Sequence, residues 1–171
     1  MGASDDTSAI RHDPLDGVPP GDPPVDHRGL RVLGFDECLE RLRATTVGRL
    51  AFVSDGEAVV FPVNHGVDRV DLVFRTMWGS KLLVAETAGQ VAYEIDGYDD
   101  VTRGGWSVLV KGTAEMVYDS ADTDRYDALG LHSWADTASN GFWVRIRPVE
   151  VTGREILAPE GLGSDPPSHG S

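Results

Sequence analysis

Two apolar-rich runs, Gly48–Ser54 and Glu57–Val63, face each other across the dipeptide Asp55-Gly56. A two-residue hairpin loop needs positive φ at its central positions, which Asp and Gly tolerate, and its twist matches that of right-handed strands. The pattern therefore predicts a β-hairpin. Alternation of apolar and polar residues continues down the chain. Val70–Thr76 predicts a third strand, Val91–Ile95 a fourth and Trp106 to about Tyr118 a long fifth, with Val108, Val110, Ala114 and Met116 as its apolar positions. The run Phe142–Val151 closes the sheet.

Helical spacing is confined to short pieces. Phe35, Leu39 and Leu42 fall at i, i+4 and i+7, which fits one face of a helix starting near Asp36. A second helix opens at Gly79, carries Leu82, Leu83 and Ala85, and ends near Gly89, and a third covers Ser120–Leu131. Pro62 and Pro148 lie inside predicted strands. Neither can donate to a ladder, so each belongs at an edge, bulge or bend. Hairpins with a few short helices predict an α+β, mainly antiparallel, Greek-key-like barrel rather than a doubly wound sheet. No internal repeat and no dinucleotide-binding glycine fingerprint is present.

A chain of 171 residues holds one domain with a real core. Residues 1–30 contain five of the ten prolines and six Asp but few large apolar side chains. Such a segment cannot bury enough surface to offset its ordering entropy, so it reads as a disordered acidic tail. Residues 158–171, rich in Gly, Ser and Pro, read the same way, which leaves 31–157 as the folded unit. The formal charge of −13 argues against a nucleic-acid partner. No apolar run approaches the roughly 20 residues that span a bilayer, and the N-terminus lacks the pattern of a secretory signal. A single cysteine, Cys38, excludes an intrachain disulfide and a multi-cysteine zinc site. These features together predict a cytoplasmic protein.

Against that acidic background stands Leu72-Val73-Phe74-Arg75-Thr76-Met77-Trp78-Gly79-Ser80-Lys81. An apolar strand ends in Arg-Thr and a helix opens on Gly-Ser-Lys. The arrangement gathers a planar guanidinium, an ammonium, two hydroxyls and free helix N-terminal amides, which together suit a phosphate monoester. A plainer reading fits the same residues: Ser80 as an N-cap, Lys81 as a solvated first-turn residue and Arg75 as a strand-end charge.

The remaining polar residues point to less. His65 follows the hairpin and has the chemistry to donate to a ligand, but a lone histidine is more often structural. His132 reads as a helix-end residue bonding last-turn carbonyls. No two histidines have metal-ligand spacing, and no nucleophile elbow occurs. Cys38 falls within a helix as packing, and Arg145 and Arg147 read as a solvated strand face.

The order of a helix, Val47-Gly48-Arg49-Leu50-Ala51, the hairpin, Pro62-Val63-Asn64-His65, Val73-Phe74-Arg75-Thr76, Gly79-Ser80-Lys81-Leu82 and Gly105-Trp106-Ser107-Val108 resembles the pyridoxamine 5′-phosphate oxidase-like family, in its actinobacterial branch with the flavin-binding split barrel. The likeness covers about residues 32–156. It implies a split β-barrel with short flanking helices, a homodimer, and a cofactor at the subunit interface. It implies that Arg75, Thr76, Ser80 and Lys81 hold the phosphate of FMN and that the backbone of Pro62, Val63 and Asn64 runs along the isoalloxazine. Trp106 and Ser107 would approach the ring from the partner subunit, although Trp106 fits barrel core or dimer contact equally well.

The basic cluster that would take pyridoxamine phosphate beside the flavin is missing, so the resemblance does not extend to that substrate. It implies instead an FMN-dependent oxidoreductase acting on another small molecule. Two alternatives accompany it: a reductase of the same fold using the deazaflavin coenzyme, whose lactyl-phosphate tail would meet the same cations, and a flavin-binding carrier or sensor without turnover.

Overall fold

The computed structural model describes residues 9–12, 24–76, 89–131 and 141–157. Its elements in chain order are β1 (Arg11–His12), β2 (Arg31–Leu33), α1 (Phe35–Ala44), β3 (Val47–Ser54), β4 (Glu57–Asn64), β5 (Gly66–Asp68), β6 (Asp71–Thr76), β7 (Gln90–Tyr98), β8 (Gly105–Val117), α2 (Ser120–Asp127) and β9 (Phe142–Ile156). The expected helix opening at Gly79 lies outside the described residues, as do Ser80, Lys81 and His132.

One sheet runs in the order β4-β3-β7-β8-β9-β6-β5. All its pairings are antiparallel except that of β1 with β9. The 15-residue β9 is its spine. Along one edge it pairs with β8 from Val117↔Trp143 to Gly105↔Ile156. Its other edge is shared in turn by β6, β1 and β2. The sheet curls until β4 and β6 approach one another, but no ladder joins them. The barrel is thus split, as the sequence predicts.

Inward-facing residues of β3, β6, β7, β8 and β9 meet in one core: Leu50, Phe74, Tyr93, Ile95, Val108, Val110, Val144 and Ile146, joined by Cys38 and Leu42 of α1. On the opposite face of the sheet Val73, Val117 and Trp143 pack beneath Tyr126 of α2. This second, smaller cluster positions the site described below. Helix α1 begins with Glu37 accepting the Gly34 N–H at 2.9 Å and ends with Arg41 and Arg43 in its last turn, charges that complement its dipole.

Local chemistry explains the turns. Asp55 and Gly56 have φ of 51° and 81°, the pair of positive values that a type I′ loop demands. Pro62 sits on β4, the edge strand beside the split. Pro148 sits at a bulge, because the β8–β9 register slips by one residue between Lys111↔Glu150 and Gly112↔Pro148. Both prolines are placed where a missing N–H is tolerated.

The structure departs from the expected elements in several places: α2 ends at Asp127 rather than Leu131, and β7 runs from Gln90 to Tyr98 rather than Val91 to Ile95. Strands β2 and β5, three residues each, were too short to carry a periodic signal. Strand β9 runs five residues past Val151, where Gly153 lets Cys38 approach: a Cβ there would lie 2.6 Å from its Sγ. Pieces of the segment expected as tail also pack on β9. Ile10 is buried, Arg11–His12 pairs with Glu150–Val151, and Asp26 binds Arg154 at 3.0 Å. Among the described residues no helix is long and apolar enough to cross a membrane.

Candidate functional site

Alternation along β6 sends Leu72 and Phe74 into the main core and places Val73 on the opposite face, in the cluster beneath α2. Arg75 follows Val73 by two residues and shares its face. Its register partner on β9 is Trp143, and the guanidinium carbon lies 5.2 Å from the indole centroid. The Trp143 indole N–H donates to Asp127 Oδ1 at 3.0 Å. That same oxygen stands 3.6 Å from Nη2 of Arg75, near enough for an ion pair but beyond a good hydrogen bond. The Nε of Arg75 is buried and donates to no acceptor among the described residues. A buried donor left in that state costs about 1–3 kcal/mol, which an oxyanion seated on the guanidinium would recover. Thr76 completes the strand opposite Phe142.

Pro62, Val63 and Asn64 end β4 on the other side of the split. Val63 packs against the core, while the exposed Pro62 lies opposite Arg49 of β3. The structure therefore places the β4 and β6 groups on the two strands that border the opening. It does not bring Trp106 and Ser107 to either group within one chain. They lie on β8, three strand spacings from β4, or about 14 Å across the sheet. Ser107 is exposed. Trp106 packs against the core, with its indole beside Gly97 and the Arg41 guanidinium 4.6 Å over its ring. Arg41 is itself held by Glu155 at 2.6 Å.

His65 is structural. It is 1% exposed, its Nε2 lies 2.9 Å from the Leu42 carbonyl, and its Nδ1 lies 2.7 Å from the Tyr93 hydroxyl. A carbonyl only accepts, so Nε2 carries the proton and the Tyr93 O–H donates to Nδ1. Burial pushes the His65 pKa down, outweighing the Leu42 bond that favours the charged form. The folded state thus holds a neutral imidazole that the unfolded chain protonates below about pH 6.5. This contribution is present above that value and is lost as pH falls through it. In thermal melts, the stability advantage of the wild type over His65→Gln is expected to shrink from pH 7.5 to pH 5.5. A gap that widened on acidification would contradict the neutral assignment.

Three other arginines around α2 are engaged by protein carboxylates. Arg145 binds Glu115 and lies 3.3 Å from Asp122, Arg147 lies 2.8 Å from Glu115, and Arg125 bridges Asp68 and Asp122. These pairs tie α2 to the sheet. Cys38 is buried as packing. A shallow trough of about 790 Å³ crosses the outer face near the β3–β4 hairpin, lined by Ala51, Phe52, Val60, Ala92, Lys111 and Val149. It holds none of the cofactor-site residues expected from sequence, and Lys111 there is paired with Glu150 at 2.6 Å, so the Arg75 cluster is the better anion site. Among the described residues no group of three or more His, Cys, Asp or Glu side chains could hold a metal.

The family model for pyridoxamine 5′-phosphate oxidase matches residues 35–155, nearly the whole barrel. The chain belongs to that family. Relatives agree with the assignment. The uncharacterized protein Rv0080 of Mycobacterium tuberculosis is 36% identical over 140 residues, covering 79% of this chain and 91% of that one. A candidate pyridoxamine 5′-phosphate oxidase from Corynebacterium glutamicum is 36% identical with a TM-score of 0.67, over 75% of this chain and 98% of that one. The FAD binding protein of Mycobacterium smegmatis is 35% identical with a TM-score of 0.64, over 74% of this chain and 98% of that one.

Two residues of the cluster were not singled out from sequence as site residues. Asp127 ends a helix whose docking on β6 and β9 no local pattern reveals. Trp143 lies unremarked within the closing run Phe142–Val151, although the β6–β9 pairing that sets it opposite Arg75 is what makes the cluster.

Proposed function

We propose that this family member is a flavin-dependent oxidoreductase whose Arg75, with Thr76, Ser80 and Lys81, binds the flavin phosphate. The buried Arg75 Nε without an acceptor carries this reading, because it is a donor in want of an anion. The residues suit the group: a guanidinium fork backed by an aromatic ring is a strong phosphate receptor. Pro62, Val63 and Asn64 would flank the ring system from across the split. The bound flavin would supply hydride or electron transfer to a small-molecule substrate. FMN is the flavin the sequence favours.

Assembly as a homodimer fits the geometry. Pro62 and Ser107 both lie exposed on one chain yet too far apart to meet, so a second copy facing the first would bring one of each into a shared cleft. The outer sheet face offers Val53 and Val60, 57% and 61% exposed, to that contact.

The deazaflavin coenzyme is a second reading, favoured by the carboxylate of Asp127 beside Arg75. Its phosphate is a diester and carries one charge, whereas the phosphate of FMN is a monoester.

Turnover is tested by adding NADH or NADPH to the flavin-loaded protein without oxygen. Bleaching of the bound flavin, restored by an electron acceptor, is expected. Flavin that is neither reduced by a nicotinamide nor reoxidised by acceptors would instead establish a carrier or sensor.

A further inference from the structure

We propose that Asp127 sets which phosphorylated flavin this site prefers, by penalising a doubly charged phosphate monoester more than a singly charged phosphodiester. The inference rests on the reading that Arg75 holds the flavin phosphate. Three observations carry it. Asp127 is held in place, because its Oδ1 accepts the Trp143 indole N–H at 3.0 Å. The same oxygen stands 3.6 Å from Arg75 Nη2, too far to occupy that donor, so the guanidinium remains able to receive another anion. The Arg75 Nε is buried and lacks an acceptor among the described residues, so the protein does not itself saturate the fork.

An anion seated on that fork lies within about 8 Å of the Asp127 carboxylate, a distance over which physiological salt screens only partly. Repulsion scales with the charge of the incoming group. A phosphate monoester, as in FMN, carries about −1.5 to −2 at pH 7. Each phosphate of the FAD diphosphate, and the phosphodiester of the deazaflavin coenzyme, carries one negative charge. Asp127 therefore weighs against FMN roughly twice as heavily, on a logarithmic scale, as against a single phosphodiester, and FAD, whose second charged phosphate lies one link away from the fork, falls between the two. The indole bond matters to this effect, since a free carboxylate would swing towards solvent when an anion arrived.

The test is a fluorescence titration of wild type, Asp127→Asn and Arg75→Ala with FMN, FAD and riboflavin, the last as a phosphate-free control. Asparagine keeps an oxygen for the Trp143 N–H and removes only the charge. It is expected to tighten FMN binding by about tenfold and FAD binding by about fivefold, with riboflavin unchanged. Asp127→Ser, which removes the charge with a smaller side chain, should shift the ratio of FMN to FAD affinity in the same direction. Equal changes for FMN and FAD, weaker binding of both, or no change would overturn the role assigned to Asp127. Arg75→Ala separates the two failures. If it leaves FMN and FAD affinity intact, the phosphate reading itself falls. If it weakens both while Asp127→Asn does not discriminate, only the selectivity inference falls.

Discussion

Gly48→Ala is expected to lower the melting temperature by about 10 °C. Gly48 is buried on β3, and a Cβ built there would lie 2.3 Å from the Tyr93 hydroxyl and 2.4 Å from its ring carbon Cζ. Tyr93 is fully buried and cannot move freely. Its hydroxyl donates to Nδ1 of His65, whose other nitrogen is committed to the Leu42 carbonyl. To admit a methyl group the ring must leave its place, which adds packing strain of about 1–3 kcal/mol and strands a buried hydrogen-bond pair at about 1–3 kcal/mol. For a domain of this size each kcal/mol shifts the melting temperature by about 2–4 °C. The clash is specific, so the same glycine change in a Tyr93→Leu background should cost much less. An unchanged melting temperature, or the same loss in both backgrounds, would show that Tyr93 does not lie over Gly48.

Arg75→Ala is expected to weaken FMN binding by about 10- to 100-fold while leaving riboflavin affinity nearly unchanged. The net loss of one charge-assisted hydrogen bond, worth about 1.5–3 kcal/mol, sets that range. The effect on folding should be small. Arg75 is partly exposed, its ion pair with Asp127 is long, and Asp127 keeps its bond from Trp143 without it. Arg75→Lys retains the charge but loses the planar fork and its stacking on Trp143, so it should fall between wild type and alanine. Affinities measured by flavin fluorescence check the order. Equal losses for FMN and riboflavin would mean that the variant damages the fold rather than the phosphate contact.

Where local chemistry decides structure, the sequence was readable. Asp55-Gly56 announces its own loop, Pro62 and Pro148 mark the edge and the bulge, and the alternation of Val108 and Val110 locates β8. The family and the split barrel followed from the order of such pieces. What stayed hidden depends on contacts distant in sequence. Tyr93 and His65 are 28 residues apart and meet only because β4, β3 and β7 stack in that order. The site shows the same division. Arg75 stood out because a cation ends an apolar strand in an acidic chain. Asp127 did not, because it approaches Arg75 only after α2 docks on the face opposite the core. Trp106, suggested as a ring contact, is held in its own chain between Arg41 and Gly97, a placement that strand alternation alone does not specify.

Every functional expectation above depends on the protein binding a flavin by its phosphate. The most direct measurement is the absorption spectrum of the purified protein after incubation with FMN and removal of unbound ligand by gel filtration, repeated with FAD and riboflavin. A flavin band pair is expected to be retained with at least one of the two phosphorylated flavins, and little or none with riboflavin. A protein that leaves the column colourless after all three, or that retains riboflavin as well as the phosphorylated forms, would contradict it.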